Sequence, residues 1–264
     1  MLGKLIKYEF KATGRTLLPL YGAVILFAFI NKMFLGDFFI NGETFLGQIP
    51  QAIGMMVYVT TLIATFFVTL FIIIQRYRTN LLGDEGYLMN TIPVKPWQNI
   101  TSKLIVSCVW SVLSFVCAIV SIIILAYQKG LIKDIITGMP EFFEVMFSYI
   151  SANEVIVMIE IISLMIIGGI SAILMLYASL SIGNIFPKRK ILASLGAFIV
   201  LNMASNTIAT VSQFPIMMIF SKGNELQVVH IQIMLGITAG IVLLLSIVYF
   251  VISNYILKRK LNLE

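Results

Sequence analysis

Residues 104–127, LIVSCVWSVLSFVCAIVSIIILAY, form a largely apolar run that indicates the fold class. It contains no charged side chain, and about 20 apolar residues are enough for a helix to cross ~30 Å of hydrocarbon. Because lipid tails offer no hydrogen bonds, the backbone in such a run must satisfy its own polar groups, as a helix does. The run therefore predicts a transmembrane helix.

The rest of the chain repeats this pattern. Of its 264 residues, 59% are hydrophobic and 11% are charged, with a mean hydropathy of +1.01. Soluble domains are about 45–50% apolar and about 25% charged. The stretches that predict spans are 17–35, 52–75, 104–127, 155–183, 191–212 and 228–257; only the first and fourth contain a charged residue, Lys32 and Glu160. We therefore predict an all-α membrane protein with six transmembrane helices in one domain, residues 1–264.

The basic residues are distributed unevenly between the two sides of the predicted membrane. Fourteen of the eighteen Lys and Arg residues fall in the termini and in the connections after the second and fourth spans. They are Lys4, Lys7, Lys11, Arg15, Arg76, Arg78, Lys95, Lys103, Lys188, Arg189, Lys190, Lys258, Arg259 and Lys260. Because the basic side of a membrane protein is the cytoplasmic one, we predict both termini in the cytoplasm. The formal charge of +6 follows from this bias and requires no nucleic-acid partner.

Residues 1–16 predict an amphipathic helix that lies in the membrane surface before the first span. At 100° per residue its basic side chains fall opposite its apolar ones, so they can reach lipid phosphates or a partner protein. The apolar face consists of Leu2, Leu5, Ile6 and Phe10. Glu9 projects from the centre of this apolar face, where a charge is costly without a partner. Glu9 is therefore predicted to have a structural role, through an ion pair or free backbone amides, or a direct part in signal transmission.

The longest inner connection, 76–103, is polar and interrupted by glycines and prolines. Its segment 84–90, DEGYLMN, is long enough for a short helix across the cytoplasmic face. Pro93 and Pro96 predict an extended stretch after it, because a proline and the residue before it resist helix. On the outer side, residues 128–154 form the longest loop, and 140–147 predict a short helix in it.

The sequence offers little that could catalyse a reaction. His230 is the single histidine, and no zinc-protease, nucleophile-turn or phosphate-loop motif occurs. We predict no catalytic residue, metal or cofactor on this chain, so a partner would have to handle any ATP.

Three polar residues of the predicted spans are weak candidates for cargo contact: Glu160, Asn202 and Asn206. For Glu160 the alternative is a paired or hydrated carboxylate near the outer interface. For the two asparagines, with Ser205 on the same face, the alternative is a hydrogen bond that joins helices. The small residues at 168–169 indicate close helix packing, within one subunit or across a dimer.

Two short segments resemble a known family. Residues 4–11 read KLIKYEFK, and residues 86–94 read GYLMNTIPV, followed by Trp97 and by SKL at 102–104. Together with the six spans, these segments resemble the small permease subunits of bacterial ATP-binding-cassette exporters of the type-two permease family.

The resemblance implies an assembly in the bacterial plasma membrane. Two permease subunits, identical or different, would sit on two separately encoded cytoplasmic ATPase subunits, which hold ATP and Mg. The connection after the second span would carry the coupling helix near 81–90. Its contact residues would be Asp84, Glu85, Tyr87 and Leu88. An acidic, aromatic and apolar tip on a basic face suits a specific protein contact, although a solvated turn is the alternative.

Three functions therefore remain open. The first is a permease subunit that exports an amphipathic or apolar cargo (a peptide, lipid or drug-like molecule), with 134–150 as an outer gate. The second is a non-transporting immunity or sensor module that binds a peptide at the outer face, where eight of the twelve acidic residues fall. The third is an ion-coupled carrier centred on Glu160.

Overall fold

The computed structural model describes most of the chain and contains six long α-helices in the described ranges. Those ranges are residues 2–35, 45–83, 86, 94–126, 137–140, 144, 152–220 and 228–259. The helices are α1 (Leu2–Leu35), α2 (Phe45–Tyr77), α3 (Pro96–Ala126), α4 (Ala152–Gly183), α5 (Lys190–Phe220) and α6 (Val228–Arg259). A five-residue π-helix, Arg78–Leu82, directly continues α2. Within these ranges there is no strand, which confirms the all-α class.

Each of the six α-helices is long and apolar enough to cross a membrane. The candidate spans within them are 26 to 32 residues long, in the part of the chain that is described. This confirms the prediction of six spans. The side on which the termini lie and the identity of the membrane remain predictions.

Helix α1 joins the predicted surface helix to the first span without a break. It runs continuously through Pro19, a residue that often kinks a helix because it lacks an N–H donor. The placement of residues 1–16 in the membrane surface therefore remains a prediction.

Residues 94–95 lie outside any helix, as predicted, but the extension of this stretch to Pro96 is wrong, because Pro96 is the first residue of α3. Proline suits this position, since its missing N–H has no acceptor in the first turn and its φ angle is already helical. The carbonyl oxygen of Lys95 accepts a hydrogen bond from the Gln98 N–H at 2.9 Å. Helix α3 therefore starts eight residues before the span that hydropathy predicts.

The chain divides into two structural units. The first unit comprises Met1–Gln75 and Ile105–Met139, and the second comprises Arg76–Leu104 and Pro140–Glu264. The first therefore contains α1 with most of α2 and α3, and the second contains the π-helix, the start of α3 and all of α4, α5 and α6.

Trp110 of α3 lies at the centre of the first unit and is 2% exposed. Its indole Nε1–H donates a hydrogen bond to Thr13 Oγ1 of α1 at 2.7 Å. The Phe10 ring stacks on it with centroids 4.8 Å apart. Gly14 leaves room for the indole, because a Cβ there would lie 3.3 Å from Trp110 Cζ2. The indole thus holds α1 against α3 by both packing and a hydrogen bond.

Hydroxyl groups join α3 to both α1 and α2. The Ser114 hydroxyl of α3 lies 2.6 Å from Tyr21 OH of α1 and 2.9 Å from Thr69 Oγ1 of α2. Two turns along α3, Ser121 Oγ lies 2.8 Å from Tyr58 OH of α2. Since lipid supplies no hydrophobic driving force between helices, such hydrogen bonds and close packing hold membrane helices together.

In the second unit, α4 packs against α5 and α6, and α5 packs against α6. A short link, 184–189, joins α4 to α5, and it requires a close approach at Gly183. A Cβ at Gly183 would lie 2.7 Å from the Cα of Ser194, closer than such atoms can approach. A glycine is therefore needed where α4 ends.

The close packing predicted at 168–169 is not observed among the described residues. A Cβ at Gly168 or Gly169 would meet no atom within 4 Å among the described residues. Small residues permit a close approach but do not determine which helix makes it, so packing across a dimer remains a prediction.

Candidate functional site

Tyr77, the last residue of α2, is completely buried where the inner connection begins. Its ring stacks on Tyr177 of α4, with centroids 4.0 Å apart and planes at 9°. Its hydroxyl group lies 2.8 Å from Ser181 Oγ of α4 and also contacts Ser253 of α6. These contacts attach the end of α2 to two other helices of the second unit.

The π-helix directly after Tyr77 is also largely buried. Asn80, Leu81 and Leu82 are each less than a tenth exposed. π-Helical turns are rare and occur often at functional sites. The inner connection therefore begins with residues that are packed against other helices. We call Tyr77 together with Arg78–Leu82 the buried joint.

Hydroxyl groups extend from the buried joint towards the middle of α5. Ser253 Oγ donates to the main-chain oxygen of Tyr249 at 2.9 Å, and Tyr249 OH hydrogen-bonds to Ser205 Oγ of α5. Ser205 in turn donates to the Leu201 carbonyl at 2.6 Å. The prediction that Ser205 joins helices is thus confirmed. We call Tyr77, Ser181, Ser253, Tyr249 and Ser205 the hydroxyl network.

Sequence reasoning missed the buried joint. A tyrosine at the end of a span is ordinarily an interfacial residue, so the position of Tyr77 in the sequence gives no indication of its burial. The available signal was the pair of serines, Ser181 and Ser253, within apolar spans, since such hydroxyls commonly bond across helices. Sequence reasoning also missed the burial of Lys103, which belongs to the predicted polar connection and is only 4% exposed.

The four predicted coupling residues, Asp84, Glu85, Tyr87 and Leu88, lie outside the described residues. The two glycines that flank the acidic pair are described, and the Gly86 N–H donates to the Gly83 carbonyl at 2.8 Å. The coupling role therefore remains a prediction. The outer helix predicted at 140–147 also falls largely outside the described part, although residues 137–140 are helical.

Glu9 is buried, with 7% of its surface exposed. Its main-chain oxygen accepts a hydrogen bond from the Thr13 hydroxyl at 2.7 Å, the same hydroxyl that accepts from Trp110. Glu9 therefore lies one turn from the centre of the first unit. The two roles predicted for Glu9, a structural one and a direct part in signal transmission, both remain predictions.

The three weak candidates for cargo contact do not form one site. The Glu160 Oε2 atom is occluded and has no hydrogen-bond partner among the described residues. On α5, the Asn206 amide Nδ2 donates to Asn202 Oδ1 at 2.8 Å, and both side chains are exposed. The carboxylate of Glu160 makes no hydrogen bond with either amide in the described part of the chain.

The described residues also contain no group of three or more His, Cys, Asp or Glu side chains that could hold a metal ion. In its described part the fold is that of an all-helical, multi-pass membrane protein with six long apolar helices. No family model, curated protein or solved structure matches the chain.

Proposed function

We propose that the chain is the transmembrane permease subunit of an ATP-driven exporter of the type-two permease family. It would move an amphipathic or apolar cargo, such as a peptide, lipid or drug-like molecule, across the bacterial plasma membrane. A separate ATPase would supply the energy, since the chain lacks a phosphate loop. The chain itself is then a transport subunit and not an enzyme.

The buried joint is the observation that best supports this proposal. A connection that receives force from a partner can move the spans only if its base is firmly attached to them. Tyr77 meets this requirement, since its ring and hydroxyl group both contact α4 and its hydroxyl group also contacts α6. A passive loop needs no such attachment.

The charge pattern supports a protein partner at the same connection. Its predicted tip carries Asp84 and Glu85 on a face that is otherwise basic. Acidic and aromatic side chains on a basic background provide a specific contact for a complementary surface. In the proposed assembly, that surface belongs to the two ATPase subunits, which carry ATP and Mg.

The proposed mechanism follows from these positions. Closure of the ATPase pair displaces the tip, and the buried joint transmits this displacement to α4 and α6. The hydroxyl network extends the path to Ser205 in α5. The helices then move as rigid bodies, since packed interfaces shift between discrete arrangements and do not deform continuously.

Affinity purification tests the proposal. The tagged protein is extracted in mild detergent beside the variant Asp84→Ala/Glu85→Ala/Leu88→Ala, and co-purifying proteins and ATP hydrolysis are measured. A matched control, Glu141→Ala/Phe143→Ala/Glu144→Ala, changes two acids and one apolar residue in the outer loop.

We expect an ATPase to accompany the wild type and the outer-loop control, and to be lost from the inner-tip variant. The proposal is wrong if no ATPase accompanies the wild type under conditions that preserve other membrane complexes. The coupling site is wrong if the inner-tip variant retains the ATPase.

A further inference from the structure

The link between α4 and α5 places three consecutive positive charges at the start of a helix. Lys188 and Arg189 are exposed in the link, and Lys190 is the first residue of α5. The first turn of a helix is the positive end of its dipole, so cations are unfavourable there and anions are favourable. The first turn of α5 contains no acidic residue to offset this charge. The start of α5 therefore attracts an anion.

The residue that precedes α5 cannot cap the helix with its side chain. The Ala193 N–H donates to the Arg189 carbonyl oxygen at 2.9 Å, which makes Arg189 the N-cap residue. The N–H groups before this first bond have no acceptor inside a helix, and a Ser, Thr, Asp or Asn side chain usually supplies one. An arginine side chain has no acceptor atom. An anion at this end of α5 would accept hydrogen bonds from these N–H groups.

Asn184 is an independent indication that an acceptor is missing. Its side chain is 4% exposed, and its amide Nδ2 is buried without a hydrogen-bond partner in the described part of the chain. Asn184 lies beside the start of α5, since a Cβ on the preceding Gly183 would lie 2.7 Å from the Cα of Ser194. A buried donor without an acceptor is unfavourable. Because Nδ2 is occluded, the amide must turn towards the surface to donate, and the hydrogen bond gained favours this turn.

Exposed apolar side chains beside these donors indicate the kind of anion. Phe186 in the link is 56% exposed, and Ile191 and Leu192 in the first turn of α5 are 58% and 68% exposed. In a membrane protein such side chains lie in hydrocarbon, while the basic side chains next to them reach the headgroups. The ligand that fits both surfaces carries a phosphate and acyl chains. Neither free phosphate nor an acidic protein surface offers acyl chains.

We propose that residues 184–192 form a binding site for an anionic phospholipid, such as phosphatidylglycerol. The lipid phosphate accepts hydrogen bonds from the N–H groups at the start of α5 and from the Asn184 amide. Lys188 and Arg189 supply the positive charge, as in other basic sites between membrane helices. The acyl chains lie along Phe186 and the first turn of α5. The site goes beyond the proposed function and does not depend on it, since neither an ATPase nor a cargo takes part.

Native mass spectrometry of the delipidated full chain in mild detergent tests this site. Dioleoyl-phosphatidylglycerol is titrated, and the dissociation constant of the first bound lipid is compared between the wild type and Lys188→Gln/Arg189→Gln. The matched control is Lys258→Gln/Arg259→Gln, which removes two exposed cations from the last turn of α6, where the helix dipole disfavours an anion. Dioleoyl-phosphatidylcholine and inorganic phosphate are titrated in parallel.

We expect Lys188→Gln/Arg189→Gln to weaken phosphatidylglycerol binding about tenfold, since each basic residue near the membrane surface attracts an anionic lipid. The α6 control should bind the first lipid nearly as tightly as the wild type does. Asn184→Leu keeps the approximate size of the side chain and removes its N–H donors. We expect it to weaken binding about fivefold, as for the loss of one hydrogen bond.

Equal losses of affinity in the two double variants would overturn the inference, because a general attraction of the basic surface would then explain binding. It is also overturned if the wild type binds no phosphatidylglycerol, binds phosphatidylcholine or inorganic phosphate equally tightly, or is matched by Asn184→Leu. A protein that co-purifies with the wild type but not with Lys188→Gln/Arg189→Gln, in place of lipid, would assign the link to an acidic partner and overturn the lipid site.

Discussion

The two structural units use polar side chains in different ways. In the first unit, Trp110, Ser114 and Ser121 of α3 each meet a partner on α1 or α2, and these groups join three spans to one another. In the second unit, the hydroxyl network begins at Tyr77 beside the inner connection and reaches α5. In the first unit these contacts form a scaffold; under the proposed function, the contacts of the second unit would receive and pass on a movement.

Replacing the central indole should have the largest effect on the first unit. Trp110→Ala removes a buried ring, its stack with Phe10 and the hydrogen bond to Thr13. We expect the free energy of unfolding to fall by about 3–5 kcal/mol, as for other buried aromatic residues. Unfolding in mixed micelles measures this change.

Trp97→Ala provides the matched control on the same helix, because Trp97 is 41% exposed. We expect it to change stability much less than Trp110→Ala does. Equal effects of the two substitutions would contradict the assignment of Trp110 as the centre of a scaffold.

A smaller effect on stability, with a larger one on coupling, is expected at the buried joint. Tyr77→Phe keeps the stack on Tyr177 but removes the hydrogen bond between the Tyr77 hydroxyl group and Ser181. We expect this loss to lower the free energy of unfolding by about 1 kcal/mol. Tyr77→Ala removes the stack as well. We expect Tyr77→Ala to leave the amount of co-purified ATPase unchanged and to lower its rate of ATP hydrolysis severalfold.

The control for these substitutions is Tyr8→Phe and Tyr8→Ala, since Tyr8 is 70% exposed. Neither should alter stability or ATP hydrolysis appreciably. If the ATPase that co-purifies with Tyr77→Ala hydrolyses ATP at the wild-type rate, the buried joint is a packing feature and does not transmit movement.

Hydropathy predicted the number of spans well because transfer of an uncharged run into lipid dominates the free energy of insertion. It placed the start of α3 too late, since a helix can extend beyond the membrane and Pro96 suits a first turn. Nor could it predict the burial of Lys103, because hydropathy describes transfer into lipid and not contacts between protein groups.

The candidate site was less predictable than the fold for the same reason. The stack of Tyr77 on Tyr177 joins residues one hundred positions apart, and no periodicity within one helix encodes it. Ser205 and the two asparagines lie on one helix at helical spacing, yet Ser205 joins α6 while the amides are exposed. Spacing reveals that polar groups share a face but not what that face contacts.

Photo-cross-linking at the inner tip tests the central claim, that this chain is driven by an ATPase bound to its inner connection. A photoreactive benzoylphenylalanine at Tyr87 is irradiated in cells, beside the same group at Phe143 in the outer loop, and the linked proteins are identified. We expect the Tyr87 position to capture a cytoplasmic protein with a phosphate-binding loop and the Phe143 position not to do so. Capture of no such protein at Tyr87, together with capture of an extracellular peptide at Phe143, would contradict the account and favour a non-transporting sensor or immunity module.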